Sequence, residues 1–115
     1  MEYTVRQEKT YEAAPEAIYE AALGAVDGLQ GKVLSQDPET KAIEAQFDKK
    51  IHGKVLGDRT RMALTVRTGE SGKGDVVVEI YPIDPVGRKL QFGARKGVPQ
   101  QVMSWFVAHL EHRLK

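Results

Sequence analysis

Apolar and polar residues alternate from the start of the chain. Tyr3, Val5, Gln7, Lys9 and Tyr11 fall on one side, and Thr4, Arg6, Glu8 and Thr10 on the other. Tyrosine, threonine and valine suit a pleated surface, so this stretch predicts a strand. Its inward set is impure, because Gln7 and Lys9 share the side of Val5. Either a bulge resets the alternation or the far end faces water. From Pro15 the period changes. Ile18, Ala22, Ala25, Val26 and Leu29 recur at spacings of three and four, which gives one apolar face of a helix. Pro15 suits the first helical position, and Glu16 the positive end of the helix dipole. Gly28 and Gly31 supply the stop. The alanine-rich face predicts that this helix lies close to whatever it covers.

Period two returns in the middle of the chain. Ile43, Ala45 and Phe47 share one side, as do Met62, Leu64 and Val66, then Val76, Val78 and Ile80, then Leu90 and Phe92. The opposite side carries Glu44, Gln46, Arg59, Arg61, Thr65, Arg67, Glu79, Tyr81 and Lys89. One dry and one wet face predict an antiparallel sheet covered on one side. The strands so marked are 32–36, 41–48, 60–67, 75–81 and 88–93. Asp37-Pro38-Glu39-Thr40 and Asp84-Pro85-Val86-Gly87 read as type I turns, and the glycine-rich stretch 68–74 as a hairpin loop. The last element starts at Pro99. Val102, Met103, Phe106, Val107, Leu110 and Leu114 form one helical face, with Trp105 and His109 on its flank. The sum is a single α+β domain over 1–115. It is a curved antiparallel sheet of about six strands in the order β-α-β-β-β-β-β-α, with both helices on the one apolar face.

Composition narrows the chemistry. The 115 residues are 41% hydrophobic and 29% charged, as in an ordinary globular domain. There is no cysteine, which excludes disulfides, thiol catalysis and cysteine-ligated metals. Asparagine is also absent, a bias that fits a thermophile or a GC-rich bacterial genome. No stretch is apolar enough to span a membrane, and Met1-Glu2-Tyr3 opens no signal peptide, so a cytoplasmic location is expected. The net charge of +1 names no partner, but it is unevenly spread: residues 1–48 hold ten acids and four bases, residues 49–115 six acids and thirteen bases.

Ala14-Pro15-Glu16-Ala17-Ile18-Tyr19, at the start of the first helix, and the amphipathic helix 99–114 resemble the small helix-grip domains of the Bet v 1/START-like superfamily. The stretches 37–45 and 87–114 also resemble small bacterial domains of unknown function. Members of the superfamily are usually longer and carry a second short helix after the first, for which this chain has no room. The resemblance implies a cavity for an apolar ligand between sheet and last helix. It transfers no catalytic residue.

Motifs for specific chemistry are weak. Gly69-Glu70-Ser71-Gly72-Lys73-Gly74 lacks the Gly-Lys-Ser/Thr ending of a phosphate loop and precedes a strand, so it reads as a hairpin. His109 and His112 stand three apart on a helix but have only His52 as a further histidine, so no metal site is expected. Ser35, Ser71 and Ser104 lie in no nucleophile-elbow pattern, and an enzyme is disfavoured. No catalytic residue and no cofactor is assigned. Arg59, Arg61 and Arg67 share the wet face. They can bind an anion, but pairing with Glu44, Asp48 and Glu79 is the preferred reading. With Tyr81 as the wet face's one aromatic, nucleic acid is not expected. The favoured function is non-enzymatic binding of a small apolar or amphipathic ligand between sheet and last helix, at Phe47, Met62, Leu64, Phe92, Met103 and Phe106. The alternative is a protein–protein interaction module that uses Ile51, Val55 and Leu56, in the lysine- and glycine-bearing lip 49–58, together with Trp105.

Overall fold

The computed structural model describes residues 3–115, so the reading of Met1 and Glu2 as lacking a signal sequence lies outside the described residues. The strands are β1 (Val5–Tyr11), β2 (Lys32–Asp37), β3 (Ala42–Phe47), β4 (Lys50–Ile51), β5 (Lys54–Val55), β6 (Arg59–Thr68) and β7 (Gly74–Ile83). The helices are α1 (Pro15–Gly28), between β1 and β2, and α2 (Val98–Arg113), at the end. Five strands form one sheet in the order β1-β7-β6-β3-β2, and β4 and β5 form a separate hairpin. All pairings are antiparallel.

The alternation that predicts a dry face holds through the centre of the sheet. Ile43, Ala45, Phe47, Met62, Leu64, Val66, Val76, Val78 and Ile80 are all buried in one cluster. Ile18, Ala22, Ala25 and Val26 of α1 join it, with Val102, Met103, Phe106 and Leu110 of α2. Both helices therefore cover the same face. They also touch each other along a notch of small residues. A methyl group built on Gly24 would stand 2.8 Å from the Arg113 guanidinium, and one on Gly28 would stand 2.9 Å from His109 Nδ1. Glycine at these two positions lets α2 lie against α1.

Helix α1 ends differently from the glycine-stop expectation. Gln30, with φ +61°, takes the left-handed position, while Gly31 donates to the Val26 carbonyl at 2.8 Å and Gln30 to that of Asp27 at 2.9 Å. This is a Schellman closure with glutamine where glycine is usual. The two aspartate turns form as expected. The Asp37 carboxylate accepts the Glu39 N–H at 3.0 Å, and Gly87 donates to the Asp84 carbonyl at 2.9 Å. The loop 68–74 is a hairpin connection containing a short 3₁₀ turn, Glu70–Gly72.

One expected strand is missing. Residues 88–93 make only the bridge Ile83↔Lys89 and the Leu90 N–H bond to the Pro82 carbonyl. Both edges of β7 are already taken: β6 pairs along Gly74–Ile83, and β1 pairs from Gly74 to Ile80. The returning chain bonds at the Pro82 carbonyl and bridges Ile83, both beyond the end of β1, and then leaves the sheet. The parity assigned to Leu90 and Phe92 lapses with the strand.

The impure inward side of β1 also has a physical account. Its register against β7 is unbroken, so no bulge is present. Lys9 and Tyr11 reach the flank of α2, where Glu111 Oε2 accepts from Lys9 Nζ at 3.0 Å and from the Tyr11 hydroxyl at 2.8 Å. The Lys9 bond, then the Tyr11 bond, hold the Glu111 carboxyl below its ordinary value of 4.5. Burial, then Glu111, pushes the Tyr11 phenol above its ordinary value of 10.0. A lowered carboxyl contributes stability that is complete above its ordinary value and lost as pH falls below it. A raised phenol contributes stability that is complete below its ordinary value and lost at higher pH. Glu111→Gln is therefore expected to flatten thermal melts followed from pH 5 down to 3, by about 1–3 °C in Tm, the scale of a half-exposed pair. Identical acid slopes for the variant and the parent protein would contradict this tie.

Candidate functional site

The stretch 49–58 folds into the β4–β5 hairpin, closed by His52 (φ +49°) and Gly53 (φ +82°). Two successive positive φ angles are the requirement of a two-residue I′ turn. The hairpin is held at its tip. His52 N–H donates to Gln30 Oε1 at 3.0 Å, and His52 Nε2 donates to the Gly28 carbonyl at 2.6 Å, satisfying a backbone acceptor at the end of α1. At its base Leu56 donates to the Lys49 carbonyl at 2.7 Å. Across from it on α2, the Trp105 ring lies 5.6 Å from Lys54 Nζ, within cation–π range.

Between the hairpin, the end of α1 and the flank of α2 is a pocket of about 290 Å³ lined by Leu29, Ile51, His52, Lys54, Trp105 and His109. Three chain segments supply its walls. Leu29, Ile51 and the indole are its apolar part, while one lysine and two imidazoles supply its polar groups. Two of the chain's three histidines, His52 and His109, line it. A depression of about 470 Å³ elsewhere is bounded only by residues of 84–92, a single stretch.

The residues expected to line a ligand cavity separate into two groups. Phe47, Met62, Leu64, Met103 and Phe106 come together beneath the helices, all buried, with both phenylalanines 0% exposed. Phe92 does not join them: it is 83% exposed, because the strand that would have turned it inward does not form. Of the lip residues, Ile51 is buried, Leu56 is partly buried against the core and Val55 is 72% exposed. Trp105 is half-buried on the flank of α2, as its helical position predicts. Sequence reasoning did not assign Leu29, His52, Lys54 or His109 to one site. Their meeting depends on His52 reaching Gly28, 24 residues earlier, a contact that no local period encodes.

On the wet face, Arg59 lies 3.7 Å from Asp48, and Arg61 donates to Gln46 at 3.3 Å. Glu79 lies 3.7 Å from Arg6 of β1. Lys73, in the loop 68–74, pairs with Glu12 at 2.8 Å. No cluster of three or more His, Asp or Glu side chains stands ready to hold an ion among the described residues. No helix among them is long and apolar enough to cross a membrane.

Comparison with solved structures shows the fold. The chain superposes on Ara h 8.0201 with a TM-score of 0.67 at 12% identity, covering 96% of this chain and 97% of that one. Protein MLL2253 from Mesorhizobium loti gives a TM-score of 0.63 at 16% identity, with 96% of both chains covered. The di-domain ARO/CYC BexL from the BE-7585A biosynthetic pathway gives 0.60 at 10% identity; this chain spans 46% of its length. The architecture is a helix-grip of the Bet v 1 kind. No family model matches the sequence, and no curated protein matches it.

Proposed function

We propose that the protein binds a small amphipathic ligand without transforming it, in the mouth between the β4–β5 hairpin and α2. The apolar part of the ligand packs against Trp105, Leu29 and Ile51, and a polar or anionic head meets Lys54, His52 and His109. The observation that carries this reading is the convergence of three chain segments on one pocket that combines an apolar floor with cationic and imidazole groups. Such a mixture fixes a ligand's orientation as well as holding it. At about 290 Å³ the mouth suits a small guest. Met62 and Met103 in the core behind it have the side-chain freedom to repack around a longer one.

Trp105 is the sole tryptophan, so its emission reports on this site alone. Titration with decanoate and with anilinonaphthalene sulfonate is expected to change that emission saturably. Trp105→Ala and Lys54→Glu, followed by the fluorescence of the sulfonate probe, are each expected to weaken binding by about tenfold or more. No saturable change with either probe, or a sulfonate affinity untouched by both substitutions, would contradict the assignment.

A further inference from the structure

We propose that the loop 84–97 and the adjoining hairpin form a docking surface for an anionic lipid bilayer, with Phe92 and Val86 entering the headgroup layer and the surrounding cations meeting lipid phosphates. Phe92 is 83% exposed and Val86 74%, and neither belongs to the core or to the mouth pocket. Between Pro85 and Gly97 the chain carries Arg88, Lys89, Arg95 and Lys96 and no acid. The hairpin side adds Lys49, Lys50 and Lys54, with Val55 72% exposed among them.

Asp84 and Asp58, two of the acids at this end, are already engaged. Asp84 accepts the N–H groups of Val86 and Arg88 at 3.0 and 2.9 Å, and Arg88 Nε at 3.3 Å. Asp58 accepts the Arg95 N–H at 2.6 Å, which ties the loop to the hairpin base. Lys49, Arg59, Asp84, Pro85, Leu90 and Gly93 border one depression, so the two segments share a surface. Lys89 lies 4.7 Å over the Tyr81 ring, and Arg59 lies near Asp48; both still add positive potential to this end.

Shape and charge together select the partner. Phe92 and Val86 stand out as separate points rather than lining a groove, and isolated apolar points fit a soft interface better than a rigid protein face. The lysines and arginines of the two segments complement anionic headgroups, each cation near such a surface adding to the attraction. Single-stranded nucleic acid would use Phe92 for stacking but has no use for Val86 or Val55.

The test is co-sedimentation of the full chain with vesicles of phosphatidylcholine alone and of phosphatidylcholine with phosphatidylserine. Binding is expected only to the anionic vesicles and is expected to fall as salt is raised. Phe92→Asp is expected to lower partitioning by about tenfold and Lys96→Glu by about fivefold, with melting temperatures unchanged because both side chains are exposed. Phe92→Trp in a Trp105→Phe background is expected to blue-shift its emission on anionic vesicles. Trp105→Ala is expected to leave partitioning unchanged, so failure of the mouth site and failure of the docking surface read out separately. Absence of anionic-vesicle binding at low salt, binding indifferent to Phe92→Asp, or Phe92-dependent binding of an oligonucleotide in place of vesicles would overturn the proposal.

Discussion

Phe106→Ala is expected to destabilise the protein by about 3–5 kcal/mol and to lower Tm by roughly 10–20 °C. Phe106 is 0% exposed and lies in the cluster with Met103 of α2 and Met62 and Phe47 of the sheet. Truncation there removes a large apolar group from contact and leaves a void that neighbours fill only in part. Urea melts read the effect directly. A loss below about 1 kcal/mol would mean that the ring already borders empty space, and the core would have to be redrawn as a ligand cavity. The magnitude thus separates a filled interior, with binding at the mouth, from the deep pocket that the resemblance implies.

Gly31→Ala is expected to destabilise the protein by about 1–3 kcal/mol. Gly31 is not one of the positive-φ positions, so backbone strain is not the reason. A methyl group there would stand 2.6 Å from Phe47 Cε1 and 2.9 Å from Val26 Cγ1. Both neighbours are buried in the close-packed core, so neither has open space to swing into. A thermal melt suffices to measure it. A variant as stable as the parent would show that the Phe47 ring has room to move, which conflicts with a close-packed junction of α1 and β3.

Gly31 also shows what the sequence made legible. A glycine after an amphipathic run marks a helix end, and α1 does end there. What local pattern does not reveal is that Gln30 takes the left-handed turn while Gly31 serves the close approach of a ring from β3. The same division runs through the fold. The dry faces of β3, β6 and β7, both helices, and their placement on one side follow from periods of two and 3.6, because burial imposes those periods directly. The fate of 88–93 depends on β1 having taken the edge of β7, a pairing between segments far apart in sequence. Phe92 looked like core for want of that knowledge. The mouth pocket was only half legible. Trp105 announces itself as a bulky residue on a helix flank, and His52-Gly53 is a plausible hairpin turn. Their proximity, however, rests on a histidine–carbonyl bond between segments far apart in sequence. Lys9 was an anomaly in the strand pattern until Glu111 of α2 gave it a partner.

The mouth between the hairpin and α2 is the proposed seat of the ligand. Chemical-shift mapping of the ¹⁵N-labelled protein during decanoate titration tests it most directly. Saturable shifts are predicted at Leu29, Ile51, His52, Lys54, Trp105 and His109, with the wet face of the sheet unmoved. Shifts centred on Arg61, Tyr81 and Glu79 instead, or none at saturating probe, would contradict it.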